Sequence, residues 1–280
     1  MNFNDKKRKL WGYRILLKYK KAYQLLKRWP EEKNVVFIFG CQRSGTTLMA
    51  RIFNRDLQSM VYKSFSKLST LDPDRHRLDP LHKVAERFRK DKASMIVAKP
   101  IVESQNALEL LDFFKDAKAV WMFRNPSDVV RSNMKRFGNN NGIKDLAPII
   151  RKEPGNWRSE KVTRETMKIL SLYFSDSMRN EDAAALFWYC RNRLFFDQRL
   201  QDHPRVKLCL YDDLVTMPGG TMKAFYQFVG RPYPGKRMVS EVNPYSVNKG
   251  KDIELTGEIQ RLCLELYENL LKIYQLKADP

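Results

Sequence analysis

Residues 40–47, GCQRSGTT, combine glycine, arginine and hydroxyl side chains in an order that suits the binding of an anion. The segment follows a short apolar run and precedes a helical pattern. Backbone N–H groups of such a turn converge on one point, and the dipole of the following helix adds partial positive charge there. The two glycines let the backbone approach a ligand closely. The segment therefore predicts a cradle for a phosphate or sulfate group.

The spacing of Gly40 and Gly45 is that of the loop that binds nucleoside triphosphates, but the residue after Gly45 is Thr46. That loop has a lysine there, which reaches the β- and γ-phosphates. Here the cation is Arg43, inside the loop. This arrangement favours a nucleotide with a 5′-phosphate, whose bridging oxygen gains negative charge as a group departs. A P-loop nucleotide kinase or other phosphotransferase remains the alternative enzyme.

A second anion-binding segment spans residues 123–132, FRNPSDVVRS. Arg124 ends a predicted buried strand, and Ser132 lies on the helix that begins at Pro126, a favoured first helical position. An arginine at the carboxyl end of a strand and a serine on the next helix can bind one anion, at the edge where α/β sheets bind ligands. Together, the two segments predict a ligand with two separated phosphates.

Short apolar runs alternate with helical patterns along the chain, which predicts an α/β fold. Strands are predicted at 35–39, 94–98, 118–123 and 206–210. Helices are predicted at 46–56, 104–115, from 126, 220–229 and 256–275. The run 35–39 is apolar on both faces, as expected for a central parallel sheet flanked by helices, in a P-loop-like three-layer fold.

Composition and length predict a single domain over 31–280, preceded by an N-terminal arm over 1–30. Within the domain, 66–93 and 138–180 are rich in charge, proline, glycine or asparagine, and we expect them to be loops on the acceptor side of the site. Residues 5–29 alternate lysine and arginine with apolar residues from Trp11 to Trp29, which predicts a basic amphipathic helix ended by Pro30. This helix either packs on the domain or contacts an anionic membrane surface.

The formal net charge of the 280-residue chain is +20, which indicates an anionic partner. A non-enzymatic basic protein that binds membrane or nucleic acid is the alternative to an enzyme, although we expect no nucleic-acid partner. No run is apolar enough to span a bilayer, and no signal sequence is present, so we expect a cytoplasmic protein. The four cysteines form no CxxC pair and the three histidines have no metal-ligand spacing, so we expect no metal.

The two anion-binding segments resemble the two PAPS-binding motifs of the sulfotransferase superfamily, the RSGTT form being most similar to its carbohydrate and tyrosylprotein branches. The steroid and phenol branch has lysine at the position of Arg43. The resemblance extends over about residues 34–275. It includes Ala98-Lys99-Pro100, the aromatic stretch 187–198, and Tyr211-Asp212-Asp213-Leu214. It implies a doubly wound parallel sheet and PAPS (3′-phosphoadenosine 5′-phosphosulfate) as the donor, with no metal.

The resemblance also implies roles for individual residues. The residues implied to hold the 5′-phosphosulfate are Arg43, Ser44, Gly45, Thr46 and Thr47. Arg124 and Ser132 are implied to hold the 3′-phosphate, and Tyr211 to lie near the adenine. Ser246, Lys249 and Gly250 fall where members place a late loop over the nucleotide. We assign Arg43 and Lys99 to the departing bridging oxygen, and the sulfuryl group carries too little charge to require Mg²⁺.

The sequence departs from the family at the catalytic base, since residues 60–66 hold no carboxylate where several members have a glutamate. The candidates for the base are His76, His82 and Glu103. An imidazole needs little tuning to accept a proton at neutral pH, and the stretch around His76 lacks a helical pattern that would hold it away from the site. His76 is therefore the predicted base. The acceptor hydroxyl compound, whether carbohydrate, lipid, peptide or small metabolite, has no pattern in the sequence.

Overall fold

The computed structural model describes residues 3–27, 32–64, 66–74 and 76–277, with side chains from Ile15 onward. The strands are β1 Asn34–Gly40, β2 Ser59–Tyr62, β3 Met95–Ala98, β4 Lys118–Phe123 and β5 Val206–Leu210. The helices are α1 Phe3–Leu26, α2 Thr46–Phe53, α3 Leu81–Lys90, α4 Ala107–Phe113, α5 Pro126–Phe137, α6 Asn141–Ile150, α7 Arg164–Tyr173, α8 Asn180–Asp197, α9 Tyr211–Thr216, α10 Pro218–Val229 and α11 Gly257–Leu276.

The five strands form one parallel sheet in the order β2-β3-β1-β4-β5. The side chains of β1 alternate between two separate cores. Phe37 and Phe39 face a cluster formed with α3, α4 and the end of α8, while Val36 and Ile38 face a cluster formed with α2 and α10. Because both faces of the central strand are buried from Val36 onward, its sequence is apolar from Val35 to Phe39. The predicted α/β fold with a parallel sheet between helices is confirmed.

The carboxyl edge of the sheet collects the residues to which the sequence assigned chemistry. The loop 41–45 follows β1, and Lys63, Lys99, Arg124 and Tyr211 each follow the last residue of β2, β3, β4 and β5. A third core, built mainly from α5, α6, α7, α8 and α11, packs beside this edge. Parallel strand direction therefore brings residues that are 170 positions apart in sequence to one side of the molecule.

The four predicted strands lie within one residue of their predicted bounds. The helix predicted over 104–115 is instead a 3-10 turn, Ile101–Asn106, followed by the short α4. Strand β2 was not predicted, because its four residues Ser59–Tyr62 are too few for a clear pattern. The segments 66–93 and 138–180 are not only loops, since the first contains α3 and the second contains α6 and α7. Helix α6 was not predicted because Pro148 lies inside it, and proline disfavours a helix interior.

Helix α1 contacts the domain through two polar side chains on one face. The Nζ of Lys20 donates to Asn54 O at 2.8 Å and to Ser59 Oγ at 3.1 Å, and the Nε2 of Gln24 donates to the carbonyl groups of Leu57 and Ser59 at 2.8 Å each. Burial lowers the pKa of Lys20 to about 8, which nearby Asp56 partly offsets. The predicted helix end at Trp29 and Pro30, with the domain boundary at residue 30, lies outside the described residues, as does the Trp11 side chain.

Among the residues that the structure describes, no helix is both long and apolar enough to cross a membrane. The cysteines Cys41, Cys190, Cys209 and Cys263 are all buried and free of disulfides. Within the same described part of the chain, no group of three or more histidine, cysteine or carboxylate side chains is arranged to hold a metal ion.

Candidate active site

The loop between β1 and α2 is held in a tight form that only glycine permits at two positions. Gly40 has φ 120°, and a Cβ there would lie 2.2 Å from the carbonyl oxygen of Met122. Gly45 has φ 91°, and a Cβ there would lie 2.4 Å from the ring of Tyr211. Arg43 also has a positive φ, 68°, at the tip of the loop. The loop therefore lies close against β4 and Tyr211, immediately before the N-terminus of α2.

Ser44 is fully buried in this loop, and its Oγ has no hydrogen-bond partner among the described residues. A buried hydroxyl without a partner is costly, and such groups mark positions where a ligand or water completes the bonding. Thr46, the first residue of α2, is also buried, whereas the side chain of Thr47 is more exposed. The loop thus places an unpartnered hydroxyl beside the N-terminus of α2, an arrangement that suits an anion.

Arg124 follows β4 and is 4% exposed. The local sequence fixes its surroundings, because the Asn125 side chain caps α5 by accepting hydrogen bonds from Ser127 N and Asp128 N, and Pro126 begins the helix. The Nη2 of Arg124 donates to Asp128 Oδ2 at 3.0 Å. Its Nε has no partner among the described residues. An unpartnered, buried guanidinium N–H is what an added phosphate would satisfy.

The late loop is joined to Arg124 by several contacts. Arg124 donates to the carbonyl of Ser246, and the hydroxyls of Tyr211 and Ser246 are hydrogen-bonded to each other. The Arg124 guanidinium also lies 4.2 Å from the centroid of the Tyr211 ring. Asp128 accepts hydrogen bonds from Asn248 N at 3.1 Å and Gly250 N at 2.6 Å. Asp128 therefore fixes both the arginine and the loop.

A cavity of about 620 Å³ is enclosed by these elements, and we call it the nucleotide cavity. Eight of the predicted nucleotide-binding residues line it: Arg43, Gly45, Thr46, Thr47, Arg124, Ser132, Tyr211 and Ser246. Ser44, Lys249 and Gly250 do not line it, and Ser44 is fully buried. Gly250 instead packs against the backbone of α5, where a Cβ would lie 2.3 Å from Ser127 C. Arg51 and Arg136 line the cavity although the sequence analysis did not identify them.

The two anion-binding segments touch each other directly. The Nε of Arg43 donates to Ser132 Oγ at 3.0 Å. In the sequence, these two residues belong to different anion-binding segments, 40–47 and 123–132. Burial lowers the pKa of Arg43, and the neighbouring guanidinium groups of Arg136 and Arg124 lower it further. Asp128 pairs with Arg124, whereas Arg43 and Arg136 form no ion pair with a carboxylate among the described residues.

A second cavity, of about 470 Å³, lies on the other side of the loop, and we call it the acceptor cavity. It shares Arg43, Thr46, Thr47 and Arg136 with the nucleotide cavity. Its remaining wall includes residues from both segments predicted as acceptor-side loops: His76 from 66–93, and Asn141, Asp145, Trp157 and Arg158 from 138–180. A group held by the loop is accordingly accessible from both cavities.

Lys99 lies in the acceptor cavity directly after β3, 6% exposed. Its Nζ donates to Ser64 Oγ at 3.0 Å. Burial lowers the pKa of Lys99 to about 8, with a smaller contribution from the charge of Lys63. The ammonium group therefore faces the same space as Arg43, with a hydroxyl but no carboxylate beside it in the described residues.

The three candidate bases have different surroundings. His76 lines the acceptor cavity, and its backbone N–H donates to Asp72 Oδ2 at 2.6 Å. His82 is exposed on α3 and lines neither cavity. Glu103 is buried and lines neither cavity either.

The carboxylate of Glu103 is engaged in structural contacts. It accepts hydrogen bonds from the Nε of Arg77 at 2.9 Å, from Leu78 N at 3.0 Å and from Asn106 Nδ2 at 2.7 Å. Glu103 therefore anchors the stretch just after His76 to the 3-10 turn Ile101–Asn106. This geometry favours a supporting role for Glu103 over contact with a substrate.

Sequence reasoning missed several residues that shape the site. Asp128 could have been found, because it lies four residues after Arg124 at the start of a helix, where the two side chains can meet. Asp145, Arg158 and Arg191 line the acceptor cavity but belong to α6, to the loop that follows it and to α8, which no local pattern connects. Only the folded chain brings these three together.

Residues 33–261 match the family model described as the sulfotransferase domain. No curated protein matches the chain significantly. The sulfotransferase domain of the olefin synthase from Synechococcus PCC 7002 is 18% identical, with a TM-score of 0.51, covering 88% of this chain and 98% of that one. A sulfotransferase from Alicyclobacillus acidocaldarius is 13% identical, with a TM-score of 0.51, covering 87% and 95%. These two structures share the fold.

The matched region contains every predicted nucleotide-binding residue, both cavities and all five strands. Enzymes of this class catalyse sulfuryl transfer. By the match over residues 33–261, the chain belongs to the sulfotransferase family.

Proposed function

We propose that this protein transfers the sulfuryl group of PAPS to a hydroxyl of an acceptor and releases adenosine 3′,5′-bisphosphate. The observation that carries the proposal is that the nucleotide cavity and the acceptor cavity meet at Arg43, Thr46 and Thr47. A group transferred between two substrates must be reachable from both, and in line with the entering and leaving oxygens. Among the described residues, these three loop residues and Arg136 line both cavities.

The residues present fit a nucleotide with phosphates at both ends of the ribose. Arg124 and Ser132 would hold the 3′-phosphate, for which the unpartnered Nε of Arg124 is available. The loop from Arg43 to Thr47 would hold the 5′-phosphosulfate through Arg43, Gly45, Thr46 and Thr47, which line the nucleotide cavity, with Ser44 buried behind them. Tyr211 packs on the Arg124 guanidinium and offers a ring toward the adenine side of the cavity. Lys249 and Gly250 would act indirectly, by closing the late loop on α5.

Charge develops on the bridging oxygen between phosphorus and sulfur as the bond from sulfur to that oxygen breaks. Arg43 and Lys99 would stabilise this oxygen, since both line the space where the sulfuryl group must lie. The acceptor oxygen forms the new bond to sulfur and gives its proton to a base. His76 is the proposed base because, of the three candidates, it alone lines the acceptor cavity.

The hydrogen bond between Arg43 and Ser132 links the two ends of the proposed nucleotide site. The Ser132 hydroxyl accepts from the Nε of Arg43 and has its own O–H to donate to a phosphate. A 3′-phosphate bound there also adds negative charge beside Arg124 and Arg136, whose charges otherwise lower the pKa of Arg43. Binding at the 3′ end would therefore hold the Arg43 side chain in place and favour its charged form.

The proposal is tested by incubating the purified protein with PAPS labelled with ³⁵S and an extract of the source cell, in the presence of EDTA. We expect a labelled product whose formation needs neither added metal nor ATP, and whose identification reveals the acceptor. A labelled product that forms equally with Arg43→Ala protein would contradict the role of the loop. Transfer from γ-³²P ATP with Mg²⁺ instead would support the kinase alternative.

We also propose that the outer face of α1 contacts an anionic membrane surface. Ile15, Tyr19 and Leu26 follow one another along this face and are 46%, 58% and 86% exposed. Exposed lysines, including Lys18 and Lys21, flank them. A stripe of apolar side chains between lysines matches the interfacial region of a bilayer with negatively charged lipids.

A further inference from the structure

The acceptor cavity carries more positive charge than sulfuryl transfer requires. Six basic side chains line it: Arg43, Lys63, Lys99, Arg136, Arg158 and Arg191. Among the described residues that line it, Asp145 is the single carboxylate. Arg158 donates two hydrogen bonds to Asp145 Oδ1, at 2.8 and 3.0 Å, so these two charges balance each other. Five cations remain without a carboxylate.

Two of these five, Arg43 and Lys99, already have a role at the departing oxygen. The other three, Lys63, Arg136 and Arg191, are not needed for that step. They come from three separate parts of the fold: the end of β2, the last turn of α5 and the middle of α8. All three line the acceptor cavity, so a ligand that binds in this cavity is the simplest explanation for their being close together.

Arg191 is the most constrained of the three. It is 2% exposed, and its Nη2 donates to Ile101 O and to Gln105 Oε1, both at 3.1 Å. Its Nη1 has no hydrogen-bond partner among the described residues. A buried, charged N–H group without a partner is costly unless a ligand supplies an acceptor. The floor of the cavity therefore holds an unsatisfied cationic donor.

Lys63 and Arg136 stand at the open part of the cavity. Both are exposed or nearly so, and neither forms an ion pair with a carboxylate in the described part of the chain. Each acts on a catalytic cation: after the effect of burial, Lys63 helps to lower the pKa of Lys99 and Arg136 that of Arg43. The free enzyme thus holds like charges close together, which is unfavourable until an anion enters.

On the basis of the proposed function, we propose that the acceptor carries an anionic group in addition to the hydroxyl that receives the sulfuryl group. A carboxylate, phosphate or existing sulfate on the acceptor would be bound by Lys63, Arg136 and the Nη1 of Arg191. This subsite orients the acceptor, because a charge fixed at one end leaves the hydroxyl to face the loop. It also selects against neutral acceptors, which leave the cations unpaired.

The test uses the full chain saturated with adenosine 3′,5′-bisphosphate, so that the nucleotide cavity is filled. Two matched pairs of probes are titrated at low salt while the melting temperature is followed: methyl β-D-glucuronide against methyl β-D-glucoside, and glycerol 3-phosphate against glycerol. We expect saturable stabilisation by the anionic member of at least one pair and none by its neutral partner. Which pair responds distinguishes a carboxylate from a phosphate.

The double variant Lys63→Gln/Arg136→Gln is expected to bind the anionic probe about tenfold or more weakly. The control double variant Lys223→Gln/Arg261→Gln removes the same charge from exposed positions on α10 and α11 and should bind it normally. If the neutral probes stabilise as well as the anionic ones, if no probe stabilises, or if the two double variants behave alike, the inference is wrong. Failure of the nucleotide itself to stabilise the wild type would instead contradict the proposed function.

Discussion

The two cavities on either side of the loop 43–47 differ in how their walls are built. The nucleotide cavity is lined mainly by two contiguous segments of sequence, residues 43–51 and the strand–helix unit at 124–136, with the late loop closing it. The acceptor cavity is lined by residues just after β2 and β3, by residues of α5, α6 and α8, and by loops between these elements. A site built from contiguous segments leaves a readable pattern, whereas a site assembled from distant elements does not.

The difference also extends to hydrogen bonding. On the nucleotide side, Asp128 fixes Arg124 and the late loop through buried bonds that do not depend on a substrate. On the acceptor side, the ion pair of Arg158 with Asp145 is the comparable fixed element, and the other cations face the cavity without a carboxylate. The nucleotide side is therefore held by bonds within the chain, whereas most cations on the acceptor side are left for a ligand to neutralise.

The largest effect is expected where the two cavities meet. Arg43→Ala should lower turnover by roughly 10²–10³-fold, because loss of a preorganised donor at a developing charge costs this much. The affinity for adenosine 3′,5′-bisphosphate should change much less, since the contact strengthens in the transition state. Arg43→Lys, which restores the charge, should recover part of the turnover. An Arg43→Ala protein that loses only affinity would show that the residue belongs to the nucleotide cavity alone.

On the acceptor side, His76→Ala should lower turnover by about 10²-fold while nucleotide affinity is retained. The matched control is His82→Ala, which removes an exposed histidine on α3 that lines neither cavity. Steady-state rates and nucleotide binding are measured for both. Full activity of the His76→Ala protein would show that His76 is not the base. The proton would then pass to Asp145 or to another group of the acceptor.

We expect Lys99 to make the reaction sensitive to alkaline pH. Burial holds its pKa at about 8, below the ordinary lysine value, so the ammonium group loses its proton as the pH rises through that value. If the charged form stabilises the leaving oxygen, kcat/KM should fall about tenfold per pH unit above that pKa. Lys99→Arg keeps the charge and should remove this decline. A pH–rate profile that is unchanged by Lys99→Arg would assign the alkaline limb to another group.

The smallest effect is expected far from both cavities, at α1. The double variant Ile15→Ser/Leu26→Ser should reduce co-sedimentation with vesicles containing phosphatidylserine by several-fold and leave nucleotide binding intact, because less apolar surface enters the interface. Leu172→Ser on α7, where the leucine is 74% exposed, is the control. Vesicles of phosphatidylcholine alone should bind weakly. Equal binding of all three proteins to the anionic vesicles would contradict the membrane contact.

The strands β1, β3 and β4 could be predicted because their apolar runs are almost entirely buried. Strand β5 was predicted although Lys207 interrupts its apolar run. Short β2 at Ser59–Tyr62 has two partly exposed residues and no such run. Helix α6 was hidden by its Asn-Gly start and by Pro148, because local propensity there opposes the structure that packing on α8 stabilises. Local sequence patterns therefore predict most strands of the sheet but not helix α6, which forms part of the wall of the acceptor cavity.

Among site residues, the glycines and hydroxyls of the loop were predictable because steric fit and anion binding each require a particular residue type. The contact between Arg43 and Ser132 was not, since it depends on how closely β1 and α5 approach. The same holds for Arg191, whose role follows from the position of α8 beneath the cavity and from a single unpartnered N–H group. Residues of this kind can be recognised only after the chain has folded.

The most direct test of the account is calorimetric titration of the protein with adenosine 3′,5′-bisphosphate in EDTA. We predict metal-independent binding that raises stability by about 2.7 kcal/mol at a hundredfold excess over Kd. Arg124→Ala should weaken it by about 2 kcal/mol, or about 30-fold, and 5′-AMP, which lacks the 3′-phosphate, should bind the wild type with a similar deficit. Equal affinity for 5′-AMP and the bisphosphate, or binding of ATP with Mg²⁺ in preference to both, would contradict the central claim.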